Sequence, residues 1–347
     1  MQPEPVPTAF VGLGGRGMRY LRASHWVGGF TPVALVDTDA ERFGEARTFT
    51  ELPELSCHAS LAAALQAHEI AVVFVCAPAS AHAPIILEAV TAGAHVFTET
   101  PFTTRYADAA EAVKIAAAKG LAIVVAQQYR LAAVERTITK LLAQGVLGGV
   151  GFGYLRHDLP AREPAAEDGT SRLWRADVHT IDSLVAMMPG RPARVFGRLF
   201  SPGFSDAAAP SSVQATLEFD DGAVVQYLSS FESHQPGYRF RIDCEAATLV
   251  HRAAHPGRGD DASELIQIAP DGSRQPVTLD TTYDDAWLEE TITIFFKDYF
   301  RDGKEPAMSG HNNLITMAVL HALLRSSETG QAVEVAEVAP EAFREGD

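Results

Sequence analysis

Short, continuous apolar runs alternate with amphipathic segments through the first third of the chain. Residues 9–11, 31–36, 70–75, 95–97 and 121–126 read as strands, and the run at 70–75 is apolar throughout, as a central parallel strand buried on both faces requires. Residues 40–48, 61–67, 82–92 and 107–119 read as helices between them, with Gly93 and Gly120 as C-terminal stops and a short strand expected at 56–58. This alternation predicts a doubly wound parallel sheet of the Rossmann kind. After Gln127-Gln128 the period changes. A helix over 132–144 leads into longer, alternating strands at 150–156, 194–199, 213–219, 224–231, 239–244 and 264–268. Asp221-Gly222 between two of them is a hairpin signal, so an open, mostly antiparallel sheet is expected. Helices are expected near 173–188, 285–300 and 312–326. The fold class is thus α/β, with an N-terminal doubly wound domain over 1–127 and a C-terminal α/β domain over 128–347, whose last helices can pack back on the first. The polar loop 159–171 reads equally as a lid or as a plain connection.

The first apolar run breaks into Gly12-Leu13-Gly14-Gly15-Arg16-Gly17, a G-x-G-x-x-G spacing between a strand and a helix. Gly12 allows the tight turn, Gly14 lets backbone approach a pyrophosphate, and Gly17 lets helix and strand pack closely. The free N–H groups and positive end of the new helix face the phosphates. The second run ends in Asp37, where an acid for the ribose hydroxyls is expected. Asp37 repels a 2′-phosphate, so NAD is favoured over NADP, while Arg16 and Arg42 are nearby cations that soften the preference. An ordinary βα turn with Asp37 capping a helix is the competing reading.

Bulk composition narrows the function further. The 347 residues are 47% hydrophobic, enough for a large core in two domains. Twenty-eight basic residues against 44 acidic ones give a net charge of −16, which disfavours a nucleic-acid or anionic-membrane surface. Three scattered cysteines, Cys57, Cys76 and Cys244, show neither metal spacing nor a disulfide framework. No signal peptide or membrane span is legible, and a cytoplasmic protein is expected.

Ligands of a doubly wound sheet bind beyond the carboxyl ends of its strands. That rule selects the glycine turn, Asp37, the turn from Ala77 and Pro78 to His82, Glu99 with Thr100 and Pro101, and the turn at Gln127, Gln128 and Tyr129. The second domain must contribute its own groups. On the helix LWRADVHTIDSLVAMM, Arg175, His179 and Asp182 fall on one stripe at about 100° per residue. Histidine titrates near neutral pH, so His179 can take a hydroxyl proton as hydride leaves. A structural histidine held by Asp182 is the alternative. Arg156, His157 and Asp158 end the first long strand and read as substrate contacts or as a solvated strand end.

Taken together, these motifs resemble the glucose–fructose oxidoreductase, inositol dehydrogenase and rhizopine-catabolism family (Gfo/Idh/MocA) over nearly the whole chain. Ala77-Pro78-Ala79-Ser80-Ala81-His82 stands for the family's T-P-N-x-x-H. The stretch AGAHVFTETP, residues 92–101, resembles A-G-K-H-V-x-x-E-K-P, and His179-Thr180-Ile181-Asp182 matches H-x-x-D. The resemblance implies NAD(P)-dependent oxidation or reduction of a sugar, cyclitol or polyol by a homodimer or homotetramer. It implies cofactor contacts from Gly12, Leu13, Gly14, Gly15, Arg16, Gly17, Asp37, Ala77, Pro78, His82, Glu99 and Gln128. Two departures stand out. The family's E-K-P lysine, which helps polarise the reacting oxygen, is Thr100 here, and an acid often found four residues before the helix histidine is Arg175. A threonine hydroxyl carries no charge, so Arg175 is expected to restore a cation, with His179, Asp182 and Thr100 completing the catalytic set. Two further readings stay open: a non-redox glycoside cleavage through transient oxidation by bound NAD, and a silent nucleotide- or sugar-binding protein.

Overall fold

The structure, a computed structural model, describes residues 5–160, 171, 173–255, 264–282, 291 and 293–340. The chain divides into two compact units, Met1–Ala126 with Ala286–Leu314, and Gln127–Asp285 with Ile315–Asp347.

The first unit alternates strand and helix: β1 (Val6–Val11), α1 (Gly15–Val27), β2 (Phe30–Val36), α2 (Arg42–Thr50), β3 (Ser56–His58), α3 (Leu61–Ala67), β4 (Val72–Val75), α4 (Ala79–Ala92), β5 (His95–Thr98), α5 (Tyr106–Ala118) and β6 (Ile123–Val125). Among the described residues the strands form a six-stranded parallel sheet in the order β3-β2-β1-β4-β5-β6. Every residue of β4 is buried, as its unbroken apolar run requires. Phe10, Phe74 and Phe97 stack along the sheet at 4.8–4.9 Å, and Tyr20 of α1 sets its ring edge on Phe97 at 4.9 Å. The strand order reverses between β1 and β4, which opens a crevice at their carboxyl ends. Helix α2 starts two residues later than the sequence pattern suggests. Asp39 accepts the Glu41 N–H and pairs with Arg42, which holds residues 39–41 in a turn.

The second unit opens with a 3₁₀ turn, Gln128–Leu131, and α6 (Ala133–Ala143). It continues through β7 (Val150–Asp158), α7 (Val178–Met187), β8 (Pro192–Phe200), β9 (Ser212–Phe219), β10 (Val224–Ser230), β11 (Gly237–Cys244), β12 (Thr248–Ala253), β13 (Glu264–Ile268), β14 (Arg274–Pro276), α8 (Gly310–Thr329, counted with this unit from Ile315 on), β15 (Val333–Glu334) and α9 (Val335–Val338). The described strands make a nine-stranded sheet, β14-β13-β12-β11-β7-β10-β9-β8-β15. All neighbours are antiparallel except β7 and β10. Gly222 turns the β9–β10 hairpin at φ +88°. Strands β12, β14 and β15 were not legible in the sequence. At β8, a Cβ on Gly197 would lie 2.3 Å from Leu323, and the Gly197 N–H donates to Ser326, so this glycine lets α8 dock on the sheet. No helix among the described residues is long and apolar enough to cross a membrane. The loop residues 161–170 and most of the start of the helix expected at 285–300 lie outside the described residues; its later part is a π turn, Phe296–Arg301.

Candidate active site

The glycine turn is built by close approach. A Cβ on Gly17 would stand 1.8 Å from the Gly12 carbonyl oxygen, so only glycine lets α1 start this near the strand end. Gly12 itself has φ +86°, and a Cβ there would lie 2.6 Å from the Ala77 nitrogen of the next strand-end turn. Helix α1 carries no acid in its first turn, which leaves its N-terminal dipole available to a phosphate. Asp37, at the end of β2, accepts the Leu13 N–H at 2.6 Å on one oxygen and the Asp39 N–H at 2.9 Å on the other. Each carboxylate oxygen has two acceptor sites, so one on each remains for a ribose hydroxyl. These residues fit a dinucleotide. The Arg42 guanidinium also lies 2.8 Å from where a Gly14 Cβ would be, which puts a cation beside the turn.

Two more strand-end turns join this region. His82 is buried in α4, with Nδ1 2.7 Å from the Pro101 carbonyl and Nε2 2.9 Å from the Ala77 carbonyl. The imidazole therefore ties the Ala77-Pro78 turn to the one that follows β5. Glu99 is buried and accepts the Tyr20 hydroxyl and the Thr100 N–H, each at 2.9 Å, with Arg16 3.6 Å away. Burial and the Glu99 charge together push the Tyr20 hydroxyl well above its usual pKa, so it stays a donor. Thr100 is thus anchored through its backbone in a well-packed turn.

The second unit carries the histidine helix. Residues Leu173–Asp177 form a π turn and α7 follows from Val178. A wider turn breaks the uniform 100° spacing, and the expected polar stripe does not survive as one surface. Arg175 is exposed, whereas His179 and Asp182 are buried. Asp182 accepts from Arg130 Nε and Nη2, at 2.5 and 2.7 Å, and from the Thr316 hydroxyl at 2.7 Å. Asp177 takes the hydroxyls of Tyr227 and Ser229 at 2.8 and 2.9 Å, which fixes the start of α7 on β10. His179 lies 5.0 Å from the Tyr129 ring at an interplanar angle of 32°.

The three residues at the end of β7 also separate, because side chains alternate across a strand. Arg156 is exposed and pairs with Asp158 at 2.6 Å, while His157 points to the opposite, buried face. There the His157 ring meets the edge of Tyr238 at 5.8 Å, and Tyr238 meets His251 at 5.3 Å. Glu135 of α6 is buried beside Tyr238. Burial pushes its carboxyl up to about 7, against the pull of Tyr238 and the Arg136 charge. Gln128 is buried, and its Oε1 has no hydrogen-bond partner among the described residues, an acceptor that a bound group can satisfy. Among the described residues no group of three side chains is placed to hold a metal ion. Sequence reasoning did not single out Arg130, Glu135 or His255. Each acts through a partner remote in sequence, and no local spacing signals such a contact.

A Rossmann unit with an intact glycine turn, followed by an open-sheet unit carrying a buried histidine helix, defines a dinucleotide-binding oxidoreductase. The oxidoreductase family with an NAD-binding Rossmann fold, GFO/IDH/MocA, matches residues 6–127, and the GFO/IDH/MocA C-terminal domain matches residues 136–250. The chain belongs to this family. It is similar to a 1,5-anhydro-D-fructose reductase of Ensifer adhaerens, 24% identical over 77% of this chain and 80% of the relative. It is also similar to a D-apiose dehydrogenase of Paraburkholderia graminis, 23% identical over 96% and 91%. An aldose-aldose oxidoreductase from Caulobacter crescentus shares the fold, with a TM-score of 0.81 and 19% identity over 95% and 100% of the two chains. The protein is an oxidoreductase acting on CH–OH groups.

Proposed function

We propose that the protein uses NAD to move hydride between nicotinamide and a sugar-like or cyclitol hydroxyl or carbonyl. The observation that carries this reading is Asp37, fixed by the Leu13 N–H beside the glycine turn with acceptor sites left for ribose hydroxyls. The names of the two sugar-converting relatives support the substrate class. NAD, when bound, supplies the hydride acceptor. His179 takes the hydroxyl proton as the C–H bond gives up its hydride, leaving a carbonyl, and returns it in the reverse direction. Arg175 supplies positive charge that Thr100 lacks, and the end of β7, with Arg156, His157 and Asp158, offers the substrate contacts.

Titration of both dinucleotides, followed by absorbance assays over a panel of aldoses, polyols and cyclitols, tests this. NAD is expected to bind more tightly, with NADH formed on at least one panel compound. Tighter NADP binding overturns the cofactor assignment and points to Arg42. Thr100 favours a second reading, in which the dinucleotide is reduced and reoxidised within one turnover or binds without turnover. Glycoside cleavage with no net NADH, or melting shifts without any turnover, would select it.

A second copy of this chain is the occupant we assign to the open face of the nine-stranded sheet. Phe152 and Tyr154 on β7, Phe196 on β8 and Leu228 on β10 are exposed there beside the Arg194–Glu218 and Arg241–Asp243 pairs. Apolar groups rimmed by both signs of charge suit a self-complementary contact. Sedimentation should give a dimer or tetramer, and Tyr154→Glu with Phe196→Glu should dissociate it. A monomeric wild type would refute this.

A further inference from the structure

We propose that Tyr129 and His255 are positioning residues for the His179 imidazole, the proton carrier of the reading above, on which this inference rests. Tyr129 and Arg130 are neighbours in the 3₁₀ turn that follows β6, and they address two points one helical turn apart on α7. Tyr129 lays its ring along His179, and Arg130 holds Asp182 in a two-nitrogen ion pair. The same turn thereby sets the register of the helix and the tilt of the imidazole. The contact is tilted by 32°, with 5.0 Å between the ring centroids, and is not edge-on. It restrains the ring plane without consuming a ring nitrogen in that contact, which a proton carrier needs.

Tyr129 is held in turn. Its hydroxyl lies 3.3 Å from His255 Nε2, and the His255 ring stands edge-on to it at 5.6 Å and 82°. The His255 ring also meets the His157 ring edge-on at 6.1 Å. Tyr129 is buried, so its ring has little room to swing away once the hydroxyl is fixed. The arrangement is a support chain, His255 to Tyr129 to His179. Small misplacements of a reacting group cost rate steeply, about 10²-fold for an ångström. The support should therefore appear in kcat rather than in dinucleotide affinity.

The test uses the full chain with 13C-labelled histidine, and His179→Gln assigns the His179 ring resonance. Tyr129→Leu removes the ring current and should move that resonance, whereas Tyr129→Phe should leave it close to wild type. On the panel compound with the fastest NAD reduction, kcat should fall about 10- to 100-fold in Tyr129→Leu, with the dinucleotide dissociation constant unchanged. Tyr129→Phe and His255→Gln should each cause a smaller, equal loss. Their double variant should be no worse than either, because both cut the same link. An unmoved resonance in Tyr129→Leu, or additive losses in the double variant, overturns the proposal. A moved resonance with a fully active His179→Ala would instead sink the proton-carrier reading while the stack stands.

Discussion

Alanine in place of His179 is expected to lower kcat by about 10²–10⁴-fold, the usual contribution of a positioned acid–base group. Affinity for the dinucleotide should not change, because the glycine turn and Asp37 belong to the other unit. His179 is buried on α7, so the substitution also removes packing against Tyr129. His179→Gln keeps most of the volume and should lose as much turnover, which separates the chemical loss from a packing loss. A variant with near-wild-type kcat would make His179 structural. Arg175 makes a smaller demand. Removing a donor from a dry oxyanion site costs roughly 10²–10³-fold, but Arg175 is exposed, so Arg175→Ala should cost nearer tenfold. Thr100→Lys should then recover part of that loss.

The legible parts of this protein are those with local causes. An unbroken apolar run is forced into a doubly buried strand, as at β4. Gly12 and Gly17 announce a turn because backbone elsewhere comes within contact of their missing Cβ atoms. Asp37 was legible by its spacing from those glycines, and it does hydrogen-bond to their turn. Strand β12 was hidden, since His251 and Arg252 interrupt its apolar alternation. His251 nevertheless faces inward against Tyr238.

The helix histidine was legible by motif but its surroundings were not. The π turn at Leu173–Asp177 leaves Arg175 exposed, and uniform helical spacing cannot anticipate it. Asp182 was read as a companion of His179, while the carboxylate sits in a buried pair with Arg130, 52 residues earlier. That pair satisfies a charge which burial would otherwise make costly. Long-range pairings of this kind leave no trace in a single sequence, because either partner alone looks like an ordinary surface residue.

Glu135 is the strongest instance, and its expected effect on stability is large. It falls in the first turn of α6, where an acid is normally favoured by the helix dipole and solvated. Here the side chain is buried against Tyr238, and its pKa rises from 4.5 to about 7. Between those values the folded protein holds a proton that the unfolded chain has released. Stability from this group is complete below about pH 4.5, falls as pH rises towards 7, and is lost above it. At 1.36 kcal/mol per unit the shift corresponds to about 3 kcal/mol. Glutamine has the same shape and cannot ionise. The difference in unfolding free energy between Glu135→Gln and wild type should therefore move by about 3 kcal/mol in the variant's favour between pH 4.5 and 8.5. Urea unfolding of both proteins across that range measures it, and the subtraction cancels every other titrating group. Parallel stability curves would mean that Glu135 ionises without penalty, and that water or a neighbouring cation reaches its carboxylate in solution.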